Sequence, residues 1–162
     1  MDNQKQKLSK FSIMMYGMGD LASQFVWTFV GTYLTVYYTD IVGLAPAAVS
    51  AIMLGARLFD AFNDPVMGMI AERTESKWGR FRPYILFGSP FLAVFSVLTF
   101  TGPFGNGSAG VMWAAFTYVV AGMLYTLVNI PYGAMAAVMS SDENERNSLN
   151  AFRSVGMNVG MI

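Results

Sequence analysis

Arg57, Asp60, Asn63 and Asp64 lie close together in an apolar run from about Leu44 to Ile70. An Asp or Arg at the centre of a membrane helix costs roughly 2.5–3.5 kcal/mol on insertion scales, a load that a plain anchor does not carry. On a helix, Asp60 and Asp64 are one turn apart and share a face, with Asn63 beside them. Arg57 precedes Asp60 by three positions, a spacing that permits pairing. Pro65 has no amide hydrogen and crowds the carbonyl of Ala61, so a kink is expected there. Two carboxylates, an amide and a freed carbonyl facing a protein interior form an oxygen-rich set for a small hard cation, or a proton relay. The structural reading of the same residues is a charge network, with Asp60 and Asp64 held by Arg57 or Arg153.

The elements that must position these groups read as membrane helices. The chain has 162 residues, of which 54% are hydrophobic and 12% charged; a soluble domain carries about 25% charged residues. The apolar residues form runs long enough to span a bilayer. Cysteine and histidine are absent, which removes disulfides, thiol chemistry, histidine acid–base catalysis and most zinc sites. Net charge is zero, and no basic face points to nucleic acid. The expected layout is a polar cytoplasmic N-terminus over residues 1–10 and helices at about 11–38, 44–71, 84–101, 111–139 and 151–162. Asp20, Gly17 and Gly19 are expected to interrupt the first. Charged loops are expected at Glu72–Pro83 and Ser140–Asn150, with Asp142, Glu143 and Glu145 as a solvated loop face. The chain ends inside the fifth expected helix, so it reads as an N-terminal fragment of a larger carrier whose C-terminal half is missing.

Basic residues set the expected orientation. Lys5, Lys7 and Lys10 precede helix 1, Arg73, Lys77, Arg80 and Arg82 lie between helices 2 and 3, and Arg146 lies between helices 4 and 5. The connections after helices 1 and 3 contain no Lys or Arg. Every basic residue outside the membrane segments therefore falls on one side, which is expected to be cytoplasmic.

Four stretches together resemble the glycoside–pentoside–hexuronide:cation symporters, the melibiose permease-like branch of the major facilitator superfamily. They are Tyr16-Gly17-Met18-Gly19-Asp20, Tyr37-Tyr38-Thr39-Asp40, the nine residues from Arg57 to Pro65, and Lys77-Trp78-Gly79-Arg80-Phe81-Arg82-Pro83. The resemblance implies an all-α membrane bundle, of which this chain supplies four complete helices and the start of a fifth. It implies that Asp60, Asn63 and Asp64 bind the coupling cation, as a metal site if the ion is sodium, and that Thr126 assists. It places Arg153 at the sugar site. It likens Gly68, Glu72, Arg73, Gly79 and Arg80 to the superfamily's helix 2–3 gating-loop motif. Where melibiose permease has two sugar-binding aspartates, this chain has Gln24 and Asn129. Amides still bond hydroxyls, but the charge is absent, which speaks against melibiose itself.

Two other classes bear on the function. Gly17-Met18-Gly19-Asp20 is a GxGD string resembling intramembrane aspartyl proteases, in which two close carboxylates share one proton. That family carries its other aspartate after a tyrosine on the preceding helix and has a downstream Pro-Ala-Leu string; neither is present. A non-transporting membrane scaffold does not account for polar residues on helices 1, 2, 4 and 5. The reading is a cation-coupled sugar symporter, with no enzyme activity and no cofactor. It takes sodium or a proton as coupling ion and a sugar or glycoside as substrate, and it sits in the cytoplasmic (inner) membrane with its N-terminus in the cytoplasm.

Overall fold

The computed structural model describes residues 8–161. The expectation for residues 1–7, including Lys5 and Lys7, lies outside them. The described chain is all-helical: α1 Lys10–Val36, α2 Pro46–Arg73, α3 Arg82–Thr99, α4 Ser108–Met139 and α5 Glu143–Gly160. The helices α3 and α4 are long and apolar enough to cross a bilayer. With 27 and 28 residues, α1 and α2 have the length and carry the charges discussed above. Leu86, Phe87, Phe91, Val94 and Val97 lie exposed along α3, as lipid-facing side chains of a membrane helix do.

Several boundaries differ from the sequence expectation. Asp20 does not interrupt α1, which is continuous through Gly17, Gly19 and Asp20. It ends in a π turn, Tyr37–Ile41, where Val42 N donates to Tyr37 O at 3.0 Å. The expected loop at Ser140–Asn150 is mostly helix, because α5 starts at Glu143. Asp142 caps it, accepting from Asn144 N at 2.9 Å. Glu143 and Glu145 then sit in the first turn, where the helix dipole favours acidic residues. Glu145 does more than face solvent: it accepts from Ser140 Oγ at 2.6 Å and from Leu8 N at 3.1 Å. The α2–α3 loop is shorter than expected, since Glu72 and Arg73 finish α2 while Arg82 and Pro83 open α3.

The chain divides into two compact units, and α1 and α4 contribute residues to both. In the unit formed by residues 8–25 and 134–161, α1 and α5 meet backbone to backbone. A methyl group on Gly17 would lie 2.8 Å from Phe152 O, one on Gly160 would lie 3.0 Å from Leu21 O, and one on Gly156 would collide with Gly17 O. Small residues four apart, Gly156 and Gly160, allow this close approach.

In the unit Val26–Gly133, the buried core is Val30, Leu34, Tyr38, Leu44, Val49, Ala56, Ala114 and Tyr118. These residues belong to α1 and its π turn, the entry to α2, α2 and α4. Trp27 stacks on Tyr125, with ring centroids 4.5 Å apart and planes 15° apart. Gly88 of α3 packs against Leu127 and Val128 of α4.

Candidate functional site

The α2 cluster lies wholly within the unit Val26–Gly133. The helix α2 continues through Pro65, and it presents Asp60, Asn63 and Asp64 on neighbouring positions. Thr126 of α4 donates its hydroxyl hydrogen to Asp64 Oδ1 at 2.9 Å. One turn earlier on α4, Gly122 leaves room for the Asp60 carboxylate: a methyl group there would lie 3.3 Å from Oδ1 and 3.9 Å from Oδ2. Asn63 Nδ2 is buried with no hydrogen-bond partner, which leaves a costly donor unmet. The structure thus brings Thr126 to Asp64 and sets Asp60 against the α4 backbone.

Arg57 does not complete this cluster. It is exposed, and among the described residues the only ion pair is Arg153–Asp20. The i, i+3 pairing of Arg57 with Asp60 is therefore not formed, and Arg153 is not a partner of Asp60 or Asp64. Spacing permits such a pair; rotamers and surroundings decide whether it forms. Among the described residues no three His, Cys, Asp or Glu side chains converge on one point, so the local carboxylate count is two, supplemented by amide and hydroxyl.

The second cluster lies within the other unit. Arg153 Nε donates to Asp20 Oδ2 at 2.7 Å. Asp20 is 1% exposed and Arg153 is 23% exposed, so the carboxylate is sealed and the arginine side chain is partly exposed. The earlier start of α5 explains the placement of Arg153: it stands well inside the helix, not at its beginning. Gln24 follows Asp20 by one turn on the same face of α1. Its Cβ lies 3.2 Å from where a Gly160 methyl would be, so that face meets α5. Sequence reasoning missed Asp20 as a partner. The available signal was an isolated intramembrane carboxylate, which by default pairs with something.

The remaining expected site residues are placed as follows. Asn129 lies in the unit Val26–Gly133, and its Nδ2 donates to Tyr125 Oη at 3.3 Å. Gly68 is on α2, with Ile130 of α4 the nearest neighbour of a methyl placed there, at 3.9 Å. Gly79 has φ +96°, a conformation that favours glycine; its carbonyl accepts from Ser76 Oγ at 2.6 Å. Glu72, Arg73 and Arg80 are exposed and join no ion pair among the described residues.

Comparison with known proteins agrees with this architecture. The family described as MFS/sugar transport protein matches residues 15–162. The inner membrane symporter YicJ of Escherichia coli (strain K12) is 41% identical over 145 residues, covering 90% of this chain and 32% of that protein. The glucuronide carrier protein homolog of the same organism is 38% identical over 97% of this chain and 35% of its own length. The isoprimeverose transporter of Lactiplantibacillus pentosus is 40% identical over 85% of this chain and 29% of its own length. This chain belongs to the MFS sugar-transport family. It spans about a third of the length of the curated relatives it matches. The family is one of transporters and not of enzymes, so the protease-like reading of Gly17–Asp20 falls away.

Proposed function

We propose that the chain supplies the cation-coupling part of a sugar symporter that works by alternating access in the cytoplasmic membrane. The observation that carries this reading is the α2–α4 cluster: Asp64 accepting from Thr126 at 2.9 Å, Asp60 against Gly122, and a buried Asn63 amide without a partner. Asp60 is half-buried and Asp64 exposed on this chain. Enclosed by the membrane and the rest of a carrier, two carboxylates a turn apart repel each other, so either a cation sits between them or one takes a proton. Sodium or a proton is the coupling ion in this reading, and whichever of the two it is acts as a co-substrate and not as a resident cofactor. The names of the relatives, a glucuronide carrier homolog and an isoprimeverose transporter, support glycosides as the substrate class. Arg153 and Gln24 in the one unit, and Asn129 separately in the other, are the residues assigned to sugar hydroxyls by the resemblance. Gly68, Glu72, Arg73, Gly79 and Arg80 act at the α2–α3 connection during rocking.

In this mechanism the cation screens the repulsion between Asp60 and Asp64 and favours the sugar-binding conformation. A ligand shifts a population only through its differential affinity, and by linkage sugar and cation tighten each other's binding by one common factor. The test is Asp64→Asn in a complete carrier containing this chain. Uptake against a gradient is expected to fail, while downhill exchange of sugar survives. Metal-ion stimulation, where the parent shows it, is expected to disappear. If Asp60→Asn and Asp64→Asn carriers both concentrate sugar at parental levels, the coupling site is elsewhere.

A further inference from the structure

We propose that Asp20 is a positioning residue for sugar recognition: it grips Arg153 by Nε and so aims the two Nη groups at neighbouring hydroxyl oxygens of a sugar ring. This rests on the reading of Arg153 as a substrate-recognising residue. Four observations carry it. The Asp20 carboxylate is sealed from solvent while the Arg153 side chain it holds stays partly exposed. The contact is a 2.7 Å charge-assisted bond from Nε. Because the guanidinium is planar, holding Nε fixes both the plane and the heading of the remaining fork. The α1–α5 seam is closed at Gly17, Gly156 and Gly160 by backbone contact, so the carboxylate has a rigid base.

Gln24 adds the fourth observation, since it follows Asp20 by one turn on the same face of α1 and its Cβ lies against α5 at Gly160. A buried ion pair is a weak stabiliser compared with well-packed apolar residues of the same volume, so packing alone is a poor reason for this pair. The pair is neutral as a whole. The Nη groups left over by the bond from Nε therefore work as a directional donor fork suited to hydroxyl oxygens, and Arg153 does not act there as an unpaired cation.

The test uses a complete carrier containing this chain. Equilibrium binding is measured for methyl β-xyloside, methyl β-glucoside and methyl β-glucuronide, and then for the monodeoxy analogues of the tightest binder. In the parent, removing one particular hydroxyl is expected to weaken binding at least about tenfold. In Asp20→Asn and in Asp20→Glu that penalty is expected to shrink to about twofold or less. The other deoxy penalties and the cation dependence should stay as in the parent, which a merely structural role would not produce. Asp20→Glu keeps the charge balance while moving the carboxylate, so it decides the matter if Asp20→Asn does not fold. Arg153→Lys, with one nitrogen that cannot serve both Asp20 and sugar, should lose the same discrimination. If both Asp20 variants keep parental discrimination while Arg153→Lys loses it, the positioning role is overturned and the reading of Arg153 stands. If Arg153→Lys also keeps it, the reading of Arg153 itself falls.

Discussion

Thr126 on α4 and Asp64 on α2 are 62 positions apart in sequence and 2.9 Å apart as hydrogen-bond donor and acceptor. The bond uses one carboxylate oxygen and leaves the other free. Thr126 is buried, so its hydroxyl has a fixed task there.

The first prediction follows from that bond. Thr126→Val keeps the shape and removes the donor, so Asp64 loses an orienting contact. The cation concentration giving half-maximal stimulation of sugar binding is expected to rise about three- to tenfold. Thr126→Ser, which keeps the hydroxyl, should stay within about twofold of the parent. Equal effects from the two variants would mean that the hydroxyl plays no part in cation binding.

A second prediction uses the unequal burial of the Asp20–Arg153 pair. Arg153→Gln strands a carboxylate that is 1% exposed, and removing one member of a buried pair costs roughly 3–5 kcal/mol. Asp20→Asn strands a guanidinium that is 23% exposed, which water partly solvates, so the loss should be smaller. The double variant removes both charges and should recover most of the loss, since the two sites are coupled. Denaturant or thermal unfolding in detergent would read this order. A double variant less stable than either single one contradicts it.

How much of this was legible in the sequence depended on the range of each interaction. The helices α1 to α4 announce themselves by apolar runs of membrane length, and the Asp60–Asp64 cluster by charges set inside one. The start of α5 was hidden because Ser140–Asn150 is polar and lacks an apolar period. Only the cap, Asp142 ahead of two acidic first-turn residues, marked it. The partner of Arg153 was illegible for a different reason. Asp20 is 133 positions away, and no local spacing rule reaches so far. Arg57 shows the converse: a permitted local pairing with Asp60 that the folded chain does not use.

Glycines give a third prediction by contrast. At Gly156 a methyl group would meet the carbonyl oxygen of Gly17, which belongs to backbone and cannot swing aside. Gly156→Ala is expected to destabilise by roughly 1–3 kcal/mol, as overpacking does. At Gly68 the nearest neighbour is a side-chain methyl of Ile130 at 3.9 Å, an ordinary contact. Gly68→Ala should leave stability within about 1 kcal/mol, helped by the better helix propensity of alanine. Any loss of transport in Gly68→Ala would then come from motion at the α2–α3 connection and not from folding. Unfolding measurements on both variants, alongside uptake, separate the two effects.

The last prediction concerns orientation. Arg73, Lys77, Arg80 and Arg82 cluster between α2 and α3, while the connections after α1 and α3 carry no Lys or Arg. Short basic loops stay on the cytoplasmic side, so the α2–α3 connection should be inside and the α3–α4 connection outside. The chain has no cysteine, so a single introduced thiol reports its own side in a carrier otherwise cleared of them. Ser76 is a poor choice because its hydroxyl bonds Gly79 O and Trp78 N; Glu75 is exposed and serves better. Ser108, exposed at the start of α4, reports the other side. An impermeant maleimide added to intact cells should label Ser108→Cys and leave Glu75→Cys untouched until the membrane is opened. Labelling of Glu75→Cys alone in intact cells would invert the topology and place the basic loop outside.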